Sequence, residues 1–272
     1  RTDSSAASDV YKRQHNYSSF MYDISYPMKN SGNKYDNFIT GKASFMYSPN
    51  KNRNVQNLDR RINIKNIYSQ DRLGLSDSVE GGQSITLGGE YSLTNKNNRS
   101  LLKTSVASVF RDKSDESLPT KSTINNKGSD FIGSLLFEPN DNLKLDYNFS
   151  LDNDFSSTNY NLLKADFTVN KFVTSFEYLQ ENDEVGSQSY FSNNMKLGLT
   201  SSSSLKYKTR RNRKTDLTEY YNLIYEYKND CLTAAIQYNK NYYSDKDLKP
   251  TEEIFLSISI VPFTTINSPS TK

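Results

Sequence analysis

The 272-residue chain carries 34 basic and 31 acidic side chains, a net charge of +3, too small to signal a nucleic-acid partner. Only 34 % of residues are apolar and mean hydropathy is −0.79, too little for a large conventional core, yet 20 Tyr and 14 Phe exclude the aromatic-poor composition of disorder. No apolar run is long enough for a transmembrane helix, whereas a transmembrane strand needs only about 9–11 alternating residues.

Residues 1–14, RTDSSAASDVYKRQ, show neither periodicity nor the basic-then-apolar pattern of an export leader. They are expected to be a non-native or unstructured lead, followed by one barrel portion over 15–262 and a tail over 263–272. From about residue 36 the dominant pattern has period two, that of strands with one apolar and one polar face. Ile85, Leu87, Gly89, Tyr91 and Leu93 alternate with Thr86, Gly88, Glu90 and Ser92. In 143–151, Leu143, Leu145, Tyr147, Phe149 and Leu151 fall on one side and Lys144, Asp146, Asn148 and Ser150 on the other. The pattern returns at Phe172–Thr174–Phe176–Tyr178, Tyr221–Leu223–Tyr225–Tyr227, Leu232–Ala234–Ile236–Tyr238 and Ile254–Leu256–Ile258–Ile260. Less regular strands are predicted over 101–111, 128–138, 158–169, 188–199 and 203–211, with Asn161 and Asn193 on apolar faces. Pro49, Pro119, Pro139 and Pro250 fall between the predicted strands and only Pro27 inside a possible one, as its missing N–H demands.

Alternation alone leaves a soluble sandwich open. Strands of about 10–12 residues match a tilted crossing of the hydrocarbon layer better than the five or six usual in soluble sheets. Tyr and Phe recur near strand ends, where interfacial girdles sit. Connections alternate short and long, so the short set, including 228–230, is assigned to the periplasm and the long set to the exterior. The 49–81 gap is external by this parity, with a possible strand of its own over 62–68. The fold class expected is all-β, an antiparallel transmembrane β-barrel of about 12–13 strands. An open edge in lipid is costly, which implies missing N-terminal strands.

The chemistry of catalysis is sparse. The single His15 lies in the unpatterned lead, so Ser-His-Asp hydrolysis and histidine metal sites lack their parts. No enzyme activity, cofactor or metal is expected. Asp115/Glu116, Glu181/Asp183/Glu184 and Asp245/Asp247 read as solvated loop charge, with divalent-cation contact to lipid phosphates the weaker alternative. Lys206, Lys208, Arg210, Arg211, Arg213 and Lys214 are expected to climb one polar strand face into an external loop, where a solvated barrel interior and lumen or surface attraction to lipid phosphates explain them equally well. Gly81 and Gly82 precede a strand, not a helix, and make no phosphate loop.

Two stretches resemble the LptD, or organic-solvent-tolerance, family. Residues 66–93, NIYSQDRLGLSDSVEGGQSITLGGEYSL, carry the family-like pattern Arg72, Gly74, Asp77, Glu80, Gly82, Gln83, Gly89 and Tyr91. Residues 219–263 resemble the family's C-terminal hairpins: a Tyr-Glu-Tyr strand, a turn with Cys231, a strand, an acidic loop and a closing strand. The resemblance implies an outer-membrane barrel of Gram-negative cells that inserts lipopolysaccharide into the outer leaflet, among outer-membrane lipids. It also implies an LptE-like plug lipoprotein and a periplasmic transport bridge reached through an absent N-terminal domain. Cys231 would bond a cysteine of that domain; read from the residues alone, a free thiol is equally open. The strand over 252–261, with Ile254, Leu256, Ile258 and Ile260, would form one side of a lateral gate, the plain alternative being a lipid-facing strand. A general porin or receptor barrel is the principal rival function, and a β-rich adhesin the second.

Overall fold

The period-two stretches become the strands of one antiparallel meander. A computed structural model describes residues 17–58, 60–75, 79–182, 188–242, 249–260 and 264–267, and the expected lead over 1–14 lies outside them. The strands are β1 (Phe20–Ser31), β2 (Tyr35–Ser48), β3 (Gly82–Asn95), β4 (Ser100–Arg111), β5 (Phe131–Asn140), β6 (Leu143–Leu151), β7 (Thr158–Val169), β8 (Phe172–Glu181), β9 (Ser189–Gly198), β10 (Ser203–Asn212), β11 (Leu217–Lys228), β12 (Leu232–Asn241), β13 (Thr251–Ile260) and β14 (Thr264–Asn267). Among the described residues they form a fourteen-stranded sheet in chain order that does not close on itself, a partial barrel. Helix among the described residues is limited to one 3-10 turn, Lys121–Thr123.

The sheet exceeds the expected strand count at both ends. β1 precedes the onset of clear alternation, and the short β14 lies within the segment expected as a tail, pairing with Ser257–Ile260 of β13. Two details correct the sequence reading. Pro139 lies inside β5, where the pairing with β6 shifts between Phe137 and Asn140, so the irregularity accommodates the missing N–H. The stretch 62–68 forms turns rather than a strand.

Register puts the apolar residues of successive strands on one face. The row Leu93–Leu102–Phe137–Leu145–Ala165–Phe176 runs directly across six strands. This face stays uncovered: Ile24, Ile39, Leu87, Val106, Leu223, Ile236, Ile254 and Leu256 are exposed. Its polar members pair with each other. Tyr147 Oη donates to Asn161 Oδ1 at 2.6 Å, and Asn193 Nδ2 donates to Thr174 Oγ1 at 3.2 Å, which removes part of the cost of polar groups on an apolar surface.

The opposite face is polar and ion-paired between strands. Lys42 and Lys103 flank Glu90 at 3.0 and 3.1 Å, Lys164 meets Glu177 at 2.7 Å and Lys206 meets Glu226 at 2.9 Å. Connections at one end are two to four residues long, as at 141–142 and 229–231; those at the other end include 49–81, 112–130 and 242–250. The alternation predicted from sequence is therefore built into the hairpins.

Candidate functional site: a folded loop on the polar face

The 49–81 loop does not extend away from the barrel. It folds over the polar face, and the hydrophobic core forms beneath it: Ile62, Ile67 and Leu73 pack with Leu118 and Ile124 of the 112–130 loop against Ala107, Val109 and Ile132 on β4 and β5. Single apolar residues spaced along a polar loop thus supply the core that the low hydropathy left unaccounted for.

Charge fixes the loop's base. Arg72 Nε donates to Glu80 Oε2 at 2.6 Å, its Nη2 donates to Glu80 Oε1, and further donations reach Ser84 Oγ at 2.9 Å and Thr86 Oγ1 at 3.2 Å on β3. Arg111, at the end of β4, donates to the same Glu80 carboxylate and to the Gly81 carbonyl at 2.6 Å. Arg72 and Glu80 side chains are each 2 % exposed and that of Arg111 3 %. Two buried guanidiniums share one carboxylate, so Glu80 is the partner whose loss leaves buried charge uncompensated.

The two long loops are tied together. Asn52 Nδ2 donates to Asp115 Oδ2 at 2.6 Å, and Val55 N donates to Ser117 O at 2.7 Å. Partial burial of Asp115 opposes ionisation, but hydrogen bonds from Ser117 and Asn52, with the Arg111 charge, outweigh it and hold the carboxyl below its ordinary value. Asp130, fully buried, accepts from Thr123 and Ser150 hydroxyls at 2.6 Å each and from Asn159 Nδ2 at 3.0 Å.

The loop's tip reaches β7 and β8. Arg61 pairs with Glu181 at 3.1 Å and lies 4.3 Å from the centre of the Tyr160 ring. Between loop and sheet lies a cavity of about 540 Å³, lined by Lys42, Arg61, Tyr68, Glu90, Lys103 and Asn148 among others. Burial pushes the Tyr68 phenol up to about 12, and the Glu90 carboxylate adds to the effect. Tyr68 rests on Gly88, where a Cβ would collide with the phenol oxygen and the Val106 carbonyl.

The predicted motif is therefore a structural clasp. Arg72 and Glu80 meet; Gly74 and Gly82 adopt left-handed φ of 61° and 93°, and a Cβ on Gly82 would sit 3.1 Å from Arg111. The Gln83 carbonyl accepts from Asp112 N at 3.3 Å. Gly89 and Tyr91 lie on the outer face of β3, where Tyr91 Oη donates to Asn37 Oδ1 at 2.7 Å, and Asp77 lies outside the described residues. Sequence does not single out Arg111, whose only signal is an arginine closing a strand on its polar face; Asp115, read there as solvated loop charge, is instead partly buried and bonded by Asn52 and Ser117.

A family model described as LptD, LPS transport system D, matches residues 3–201. The chain belongs to the LptD family. No curated protein matches it. The family match covers the clasp and the loops it holds, so in this member of the LptD family Arg72 and Glu80 serve to seat a loop against an outer-membrane sheet. Cys231 sits far along the chain, exposed in the short β11–β12 turn, where Asn229 Oδ1 accepts from its backbone N at 3.0 Å. It is a free thiol among the described residues. Ile254, Leu256, Ile258 and Ile260 lie on β13, which pairs with β12 along its length and, among the described residues, with β14 over Ser257–Ile260.

Proposed function

We propose that this chain is the C-terminal portion, over 15–262, of the outer-membrane translocon barrel that inserts lipopolysaccharide into the outer leaflet of Gram-negative cells. The observation that carries the reading is the division of a fourteen-stranded sheet into an exposed apolar face and an ion-paired polar face roofed by the chain's own loop. Acyl chains have an apolar surface outside; the sugar and phosphate head has cations and hydroxyls inside. The protein works by transport rather than catalysis. A general porin needs an open polar channel, whereas here the 49–81 loop spans the polar face from β3 to β8.

The partners follow from the family reading. An LptE-like lipoprotein plugs the remaining lumen, and the N-terminal domain links the barrel to the periplasmic bridge. Cys231, exposed in a short turn, would bond a cysteine of that domain, a pairing that its exposure and the periplasmic assignment of the short turns support. The strand β13, with Ile254, Leu256, Ile258 and Ile260 on its apolar face, serves as one side of the lateral exit.

A photo-crosslinking side chain placed at Asn222 on the polar face, in cells, is expected to capture lipopolysaccharide only while transport is energised. Capture at Asn222 that persists unchanged when transport is stopped, or none at all, overturns the reading.

A further inference from the structure

The outer face near the long-loop end carries a cationic site that the transport reading leaves unused. Tyr178 on β8 and Phe191 on β9 stack with ring centres 5.0 Å apart, and Phe176 lies 5.7 Å from Phe191. Above this shelf stands Arg213, from the β10–β11 turn, its guanidinium 5.3 Å from the Tyr178 ring centre and 5.2 Å from that of Phe191. Arg213 Nη1 donates to Tyr178 Oη at 2.7 Å, whose own hydrogen goes to Gln180 Oε1 at 2.5 Å. The guanidinium is held in position, and among the described residues it is paired with no carboxylate, in contrast to Arg211, which meets Asp216 at 2.6 Å.

The turn that presents Arg213 is preformed. Its backbone N donates to the Ser189 carbonyl at 2.8 Å, and Asn212 Oδ1 accepts from Lys214 N at 2.9 Å. Lys214 is exposed beside it. Two strands away, Lys240 and Glu252 pair at 3.4 Å on the same face, so the apolar band ends here in charge, the arrangement of a surface leaving hydrocarbon for headgroups. Guanidinium binds phosphate through fixed, forked donors, and among the described residues Arg213's side chain makes one donation, to Tyr178 Oη.

We propose that Arg213, with Lys214, binds a phosphate on the head of a lipopolysaccharide molecule resident in the outer leaflet, its acyl chains lying along the outer face of β8–β10. The occupant is an annular lipid outside the barrel, not cargo inside it. The assignment rests on the long loops being external, and not on passage through the lumen.

The test uses the full-length protein in detergent, with the phosphorylated glucosamine lipid core and its dephosphorylated form as probes and native mass spectrometry as readout. Arg213→Ala is expected to weaken retention of the phosphorylated probe about tenfold, the scale of one charge-assisted hydrogen bond, and Arg213→Lys less. The dephosphorylated probe is expected to bind wild type and variant alike. Equal retention of the phosphorylated probe by wild type and Arg213→Ala, both showing heat-modifiable migration, overturns the proposal. So does equal binding of the two probes by the wild type. Failure of capture at Asn222 counts against transport alone, because these measurements read only the outer face.

Discussion

Arg72 and Glu80, eight residues apart in one loop, form a two-pronged ion pair that Arg111 joins from the neighbouring strand, all within a region closed to solvent. One carboxylate serves two guanidiniums, so its removal leaves two buried cations. Glu80→Gln is expected to cost about 3–5 kcal/mol and to release the 49–81 loop. Arg111→Met is expected to cost less, because Arg72 still answers the carboxylate. Limited proteolysis within 53–72 checks both: a loop as protected in Glu80→Gln as in the wild type contradicts the clasp.

A second constraint on the same loop is steric. Gly88→Ala places a methyl between Tyr68, the Val106 carbonyl and Ala107 Cβ, the last at 2.6 Å. Overpacking of this kind costs about 1–3 kcal/mol. Removing the phenol oxygen does not cure it, because the carbonyl remains. The double variant Gly88→Ala, Tyr68→Phe is therefore expected to unfold in denaturant at nearly the same midpoint as Gly88→Ala alone, and full rescue refutes the close approach.

These two contacts mark where the sequence stops being informative. Strands such as 143–151 and 232–238 were legible because each residue's face is set locally, by the pleat. The family-like Arg72 and Glu80 were legible as a pattern, but not their purpose: Glu80's second partner, Arg111, is 31 residues away and reads as an ordinary strand end. The inward fold of 49–81 has no signal in the sequence for the same reason. Ile62, Ile67 and Leu73 have no common period, and only the tertiary fold collects them over Ala107 and Val109. Pro139 was placed outside a strand because a bulge that tolerates proline has no signal in the residues flanking it.

Two loop groups give the clasped state a pH range. The Asp115 carboxyl titrates lower in the folded protein than its ordinary 3.8, so its tie to Asn52 contributes fully above that value and is lost as pH falls below it. Tyr68 behaves oppositely: its phenol is raised from 10.0 to about 12, so its contribution is full below pH 10.0 and is lost as pH climbs towards 12. Proteolytic nicking of the two loops is expected to rise at both extremes. Asp115→Asn should remove the acid limb alone, and Tyr68→Phe the alkaline limb alone; a variant that shifts both limbs contradicts the assignment.

The division of faces makes the most general prediction. Ile236 and Gln237 are neighbours at the middle of β12, yet Ile236 pairs with Tyr225 and Leu256 on the exposed apolar face, while Gln237 faces the polar side and donates to Asn239 at 2.8 Å. Arginine at Ile236 must hold its charge against hydrocarbon, a cost of about 2–4 kcal/mol near the middle of a bilayer. Arginine at Gln237 enters a surface already laced with charge and is expected to be nearly neutral. Denaturant unfolding of the protein in lipid vesicles compares the two directly. In water a soluble sheet would tolerate a charge on its uncovered face, so a harmless Ile236→Arg in vesicles means that lipid does not contact that face.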